Sequence, residues 1–312
     1  MELQKKQVKS PYPFVSILIP TRNNEKDLLD CLGSIKALDY DFGCIETIIW
    51  DNNSSAEGKE RIRSVLSSIS GEEMLRTEYI ENTVNYGVYT SRDELFKCVS
   101  SDAEFVLSID DDVILPSQLF RDLFPLFQQD NSIGILGPRT VYDDNPLETA
   151  HGAGFVNWWL GQYITKDAQE TLECDYVIGC CMLIRRSVID EIGGFDRDYY
   201  TSHGEVDFCL KARNKGYKVI YHPGMSVRHR VEKGGTKTPE RVYYVFRNKL
   251  FVIKKNAPLL QKWFSLGLYS LFWLPKGLLD SIIRNRGMNS QEIKTILRGM
   301  MDGWLGRGGK KV

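Results

Sequence analysis

Four strand-like runs, at residues 14–20, 46–51, 74–81 and 104–110, alternate with segments of helical period at 25–38, 58–68 and 87–99. No other feature constrains the fold as strongly. The strand runs are short and closed by proline or polar residues. In the first helical segment Leu28, Leu29, Leu32, Ile35 and Ala37 fall near one side, before a turn at 39–43. Strands joined by helices imply right-handed crossovers. The expected class is therefore α/β, with a mainly parallel, Rossmann-like sheet flanked by helices.

Such a sheet binds ligands beyond the carboxyl ends of its strands. Those ends carry Thr21, Arg22, Asn23 and Asn24 in the first case, and Asp51, Asn52, Asn53 and Ser54 in the second. The third leads into 82–87 and the fourth into Asp110, Asp111 and Asp112. Four polar tips on one edge describe a site better than four unrelated turns. Three adjacent carboxylates repel unless hydrogen-bond donors or a divalent cation neutralise them, and oxygen ligands suit magnesium or manganese. Strand alternation turns Asp110 and Asp112 to one side and Asp111 to the other. An acidic turn capping a helix after Pro116 is the structural alternative.

Beyond Pro138 the alternation weakens, and Gly152, Gly154, Trp158, Trp159 and Gly161 read as loops and edge strands. A strand is expected at 176–184, a short helix from Ser187, a turn at 193–196 and a helix near Gly204. Glu205 and Asp207 fall in its first turn, where acids also suit the helix dipole. A strand at 225–228 then delivers His229, with His222 and Pro223 forming a turn before it. From Pro239 the chain reads as helices broken near Pro258, Pro275 and Gly287.

Composition narrows the partners. At 312 residues, 42% hydrophobic, the chain can bury a large core. A formal net charge of −1 offers no global electrostatic case for nucleic acid. The seven cysteines include no Cys-x-x-Cys pair, which favours buried thiols in a reducing compartment over zinc or disulfides. Residues 1–10 are polar and basic, unlike a secretory leader, so a cytoplasmic placement is expected. The apolar run 263–275 is shorter than the roughly 20 residues of a spanning helix. Its aromatics, followed by Lys276, Arg284 and Arg286, suit peripheral contact with a membrane surface; a buried helix hairpin fits equally.

Taken in order, the tip at 15–23, the Asp51-Asn-Asn-Ser54 turn, Asn85-Tyr-Gly87, Asp110 to Asp112, Gly193-Gly-Phe-Asp196 and Gly204-Glu-Val-Asp207 form a set. With that set, over roughly residues 14–255, the chain resembles glycosyltransferase family 2, including its rhamnosyltransferase-like and membrane-associated members. The resemblance implies a GT-A fold in four stretches. These are a tail at 1–13, a nucleotide-sugar half at 14–138, an acceptor half at 139–238 and a helical extension at 239–312. It further implies an inverting transfer from a nucleoside diphosphate sugar, helped by Mn2+ or Mg2+, to a glycan or polyprenyl-linked acceptor. Uridine or deoxythymidine diphosphate sugars fit best, with guanosine diphosphate mannose left open.

Carried over by position, Pro20, Thr21, Arg22 and Asn23 line the base pocket and Asp51 accepts from the base's ring N–H. Asn85 and Gly87 let backbone approach the donor, and Arg92 reaches a phosphate or Asp110. Asp110 and Asp111 stand on the donor side, while Asp112 and His229 hold the metal. In the family's Glu-Asp-x-Asp pattern Gly204 replaces the first acid, so Glu205 takes the position of the base, with Asp207 as its rival. Residues 233–237 suggest a glycine-hinged lid or, equally, a linker, and Arg247-Asn-Lys249 matches a feature of membrane-associated members. Two other classes compete. A nucleotidylyltransferase or phosphohydrolase would want a glycine-rich phosphate loop or a hydroxyl nucleophile, which the first and fourth tips lack. A non-catalytic adaptor of the same fold is kept open by Gly204.

Overall fold

The computed structural model describes residues 12–69, 76–231, 233, 238–284 and 289–311. The tail up to residue 11, the expected strand start at 74–75, the lid at 234–237 and the break at Gly287 lie outside the described residues. The alternation appears as β1 (Val15–Thr21), α1 (Glu25–Lys36), β2 (Ile45–Asp51), α2 (Ala56–Ile69), β3 (Arg76–Glu81), α3 (Val88–Cys98) and β4 (Phe105–Ile109). The chain continues through β5 (Val113–Ile114), α4 (Leu119–Gln129), β6 (Ile133–Tyr142), β7 (Thr149–His151), β8 (Ala153–Asn157), β9 (Gln162–Lys166) and β10 (Leu172–Glu173). Then come β11 (Cys181–Arg185), α5 (Arg186–Ile192), α6 (Gly204–Asn214) and β12 (Lys218–His229). The helices α7 (Pro239–Asn256), α8 (Leu259–Leu268), α9 (Leu274–Arg284) and α10 (Ser290–Leu305) close the chain.

One sheet runs in the order β10-β12-β6-β11-β4-β1-β2-β3. The strands β4, β1, β2 and β3 are mutually parallel, β6 and β12 are parallel, and β11 stands antiparallel between the two groups. Helices cover both faces, so β1 and β4 are buried along nearly their whole length instead of alternating: Ile17, Leu18, Ile19, Val106 and Leu107 are all fully buried. On α1 the buried side is Leu28, Cys31, Leu32 and Ile35; Leu29 and Ala37, expected there, face solvent. Each lies one residue off the row that meets the sheet.

Three expected boundaries move, each for a local reason. The strand expected at 176–184 begins only at Cys181, because 178–180 leave the sheet to line the cleft described below. His222 and Pro223 are not a turn but part of β12, where the register with β6 shifts between His222 and Ser226. That bulge accommodates a proline that cannot donate to the ladder. Pro275 does not break the helical run, since the π turn Tyr269–Trp273 precedes it and absorbs the hydrogen bond it cannot make. Helix α10 packs tightly on α7, and glycine permits it: a Cβ at Gly299 would lie 2.6 Å from the Tyr243 carbonyl oxygen. Among the described residues no helix is long and apolar enough to cross a membrane.

Candidate functional site

The carboxyl ends of β1, β2 and β4 form one rim of a cleft, and α6, the start of α7 and the end of β12 form the other. Two connected cavities occupy it, of about 490 Å³ at the strand tips and about 960 Å³ beyond them. Arg22, Asn52, Val88 and Asp110 line both, so Asp110 stands where the two meet.

The aspartates divide as strand alternation requires. Asp111 turns back toward β1, where it accepts from the Thr21 hydroxyl at 2.5 Å and the Asn24 amide at 3.1 Å. Burial nonetheless lifts its pKa to about 7, against the pull of those two donors. Asp110 accepts from the buried Arg92 guanidinium at 2.5 Å, and burial likewise raises it while Arg92 opposes the rise. Asp112 faces His229, with Oδ1 3.1 Å from Nε2; the same nitrogen is 4.0 Å from Asp110. Burial disfavours the charged imidazole, but Cys180 and Asp112 hold His229 up at about 11.

The donor atoms of Asp110, Asp112 and His229 lie within 4.8 Å of one another. Asp112 Oδ1 is buried against His229 Nε2, and His229 Nδ1 is buried without a hydrogen-bond partner. Two carboxylates and an imidazole converging on one point fit a hard or borderline divalent cation, which would take the place of the proton that Asp112 and Cys180 favour on His229.

Behind the rim, short polar contacts fix the loops. Asn23 adopts a left-handed backbone, φ 51°, and its side-chain oxygen accepts from Ser55 N–H at 2.8 Å. Asn52 donates to Asn85 at 3.0 Å and accepts from Tyr86 N–H at 2.8 Å, so two asparagines brace the loop after β3. Gly87 has φ 79°, and a Cβ there would lie 2.3 Å from the Tyr200 carbonyl oxygen, a position no other residue fills. Pro20, Thr21, Arg22 and Asn23 line the smaller cavity, but Asp51 lines neither. It is fully buried, accepting from Ser54 N–H at 2.7 Å and from the Tyr79 hydroxyl at 2.8 Å. Asn52, one residue on, reaches the cleft instead.

Across the larger cavity stands Glu205. It accepts a short hydrogen bond from the Tyr89 hydroxyl, which lowers its pKa, but burial outweighs this and raises it. Tyr89 also explains the missing acid: a Cβ at Gly204 would lie 2.5 Å from the Tyr89 ring. A tyrosine fills the space that a side chain at 204 would need. Asp207, the rival for the base, lines neither cavity. Fully buried between α6 and α7, it pairs with Lys211 at 2.7 Å and accepts from Asn256 at 2.7 Å. Two positions along a helix point about 200° apart, so only one of the acids can face the cavity.

Sequence reasoning missed Tyr89, Gly179, Tyr163 and the pairing of Asn52 with Asn85. Tyr89 was within reach, because it lies three residues before Arg92 on the same helical face. Gly179 shows itself only in three dimensions, where a Cβ would lie 2.6 Å from Arg92 Nη1 and 3.3 Å from the Glu205 Cβ. Lys233 pairs with Glu148 at 2.5 Å. The Arg247-Asn-Lys249 triplet separates into three contacts. Arg247 is fully buried and donates to the carbonyls of Asp198 and Gly309, Asn248 to those of Thr201 and Ser202, and Lys249 faces the larger cavity.

Solved structures share this architecture. A mannosyltransferase from Pyrobaculum calidifontis, solved in complex with GDP-Man and Mn2+, superposes with a TM-score of 0.61 at 15% identity, over 96% of this chain and 89% of its own. GalNAc-T7, solved with UDP, GalNAc and Mn2+, gives 0.63 at 15% identity, over 93% of this chain and 55% of its own. Both support the GT-A fold. Among sequences, the Haloferax volcanii low-salt glycan biosynthesis hexosyltransferase Agl10 is 24% identical over 249 residues, 75% of this chain and 74% of its length. The protein y4gI of Sinorhizobium fredii is 28% identical over 246 residues, and its match to this chain spans only 26% of its own length. The profile of glycosyl transferase family 2 matches residues 16–193, more than half of the chain, which therefore belongs to that family and is a glycosyltransferase of GT-A fold.

Proposed function

We propose that the chain performs an inverting, divalent-metal-dependent transfer of a sugar from a nucleoside diphosphate donor to a glycan or polyprenyl-linked acceptor. The observation that carries this reading is the buried carboxylate of Glu205 in the same cavity that Asp110 and His229 of the cation cluster line, where the other facing carboxylate, Glu240, is exposed. The smaller cavity takes the nucleoside, with Thr21, Arg22 and Asn23 at its wall and Asn85 and Gly87 letting backbone approach the donor. Asp51 supports that wall through the Ser54 turn. Uridine or deoxythymidine is the preferred base.

Mn2+ or Mg2+, held by Asp112 and His229 with Asp110, would offset charge on the leaving diphosphate. Arg92 holds Asp110 in place and adds positive charge at the junction of the two cavities. Glu205 takes the proton from the acceptor hydroxyl, and its raised pKa makes it a stronger base than an exposed carboxylate. The acceptor then attacks opposite the diphosphate in one displacement, with no covalent intermediate.

The helical extension supports a membrane-facing acceptor. Leu259, Leu260, Trp263, Phe264, Leu271 and Phe272 are all more than half exposed. Residues 257–312 hold nine Lys or Arg against three Asp or Glu, in a chain of net charge −1, so this end suits an anionic lipid surface. The test of function is donor turnover with uridine and deoxythymidine diphosphate sugars, with Mn2+, with Mg2+ and with chelator. Metal-dependent release of the nucleoside diphosphate, with inverted sugar configuration by NMR, is expected. Equal release in chelator, or retained configuration, would refute the mechanism.

A further inference from the structure

The larger cavity also carries polar atoms that the protein itself does not satisfy. Tyr163 Oη and His203 Nδ1 are buried there without hydrogen-bond partners. Their rings are 4.9 Å apart, and Lys249 Nζ lies 5.5 Å from the centre of the Tyr163 ring. Among the described residues Lys249 makes no ion pair with any carboxylate; burial lowers its pKa. Arg241 lines the same cavity, as does the exposed carboxylate of Glu240. Buried polar groups left unmatched cost roughly 1–3 kcal/mol each, so such a cluster suits a ligand rich in acceptor oxygens.

The hairpin that carries Tyr163 also leads out of the cleft. Between β8 and β9, Trp158 to Gly161 pack on α8 and the π turn after it: Ser265 donates to the Trp158 carbonyl, and the Trp273 indole donates to that of Leu160 at 2.8 Å. Trp159 and Leu160 stay exposed, and Trp159 meets the exposed Phe264 ring at 5.5 Å. One hairpin thus joins a cationic pocket beside Glu205 to a broad apolar surface.

We propose that Lys249, His203 and Tyr163 form a subsite for the phosphate of a lipid-linked acceptor, whose chain leaves over the Trp159 and Phe264 surface. This rests on the transferase reading above and names the end of the acceptor that it left open. The phosphate is bound, not cleaved, and sets the distance of the acceptor's hydroxyl from Glu205.

Calorimetric titration of the full chain, saturated with UDP and Mn2+, tests this with farnesyl phosphate, farnesol and inorganic phosphate. Farnesyl phosphate is expected to bind at least tenfold more tightly than farnesol. Lys249→Met should erase that preference, Lys249→Arg should keep most of it, and His203→Asn, which tolerates the left-handed backbone at 203, should weaken it. Melting curves of all variants confirm that they fold. A full preference in folded Lys249→Met, or none in the wild type, overturns the subsite. Inorganic phosphate binding as tightly as farnesyl phosphate overturns the lipid part. Binding of UDP with Mn2+ is recorded first and separately, so a failed donor site is distinguishable from a failed acceptor subsite.

Discussion

The two walls of the cleft are built on opposite terms. On the strand-tip wall polar side chains are matched within the protein: Asp111 by Thr21 and Asn24, Asp51 by Ser54 and Tyr79, Asn52 by Asn85. On the opposite wall, built from the β8–β9 hairpin, the start of α6 and α7, Tyr163 and His203 keep buried atoms without partners, and Lys249 makes no ion pair among the described residues. A self-satisfied wall is rigid before any ligand arrives, which suits a donor site used in every turnover. The unsatisfied wall is completed by what it binds. The cation cluster breaks this division, because it spans both walls: Asp112 from the strand tips meets His229 from the end of β12, and His229 Nδ1 has no hydrogen-bond partner.

The largest effect should come from that exception. Asp112→Asn is expected to lower metal-dependent transfer on the order of 10³-fold, measured as nucleoside diphosphate release. Next comes Glu205→Gln, with a loss of roughly 10²–10⁴-fold in turnover and donor affinity left intact. Undiminished turnover in that variant would remove Glu205 from the reaction. Asn248→Ala probes how the opposite wall is held. It strips donors from the carbonyls of Thr201 and Ser202, which precede α6, and should cost about 1–3 kcal/mol of stability. It should also lower kcat about tenfold with little change in donor KM, because the displaced group is the base. The smallest effect is a displaced pH profile. The Tyr89 hydrogen bond lowers the Glu205 pKa, so Tyr89→Phe raises it further. A base acts when deprotonated, so the acidic limb of kcat should move to higher pH; a shift to lower pH contradicts the pairing.

How much was legible follows the same division. The parallel strands and their tips were readable because periodicity and turn chemistry are local, and the aspartate run announced crowded charge. The clustering of Asp112 with His229 joins residues 117 positions apart and emerged only through the family pattern. What stayed hidden is what depends on contact across the cleft. That Asp51 is spent on its own turn, that Asp207 is held by Lys211 and Asn256, and that Tyr89 occupies the space above Gly204 are packing facts, invisible to spacing. The bulge at His222 and the π turn before Pro275 show proline absorbed by neighbouring backbone in place of breaking it.

The most direct test of the central claim is the melting temperature of wild type and Asp112→Asn with UDP, dTDP and GDP, each with and without Mn2+. A ligand that binds the native state raises its stability by RT ln(1 + [L]/Kd), about 2.7 kcal/mol at a hundredfold excess over Kd. The account predicts that UDP or dTDP stabilises the wild type only when Mn2+ is present, and that Asp112→Asn loses this response. Stabilisation that ignores Mn2+, or survives in Asp112→Asn, would contradict the metal-bridged donor site at the end of β4.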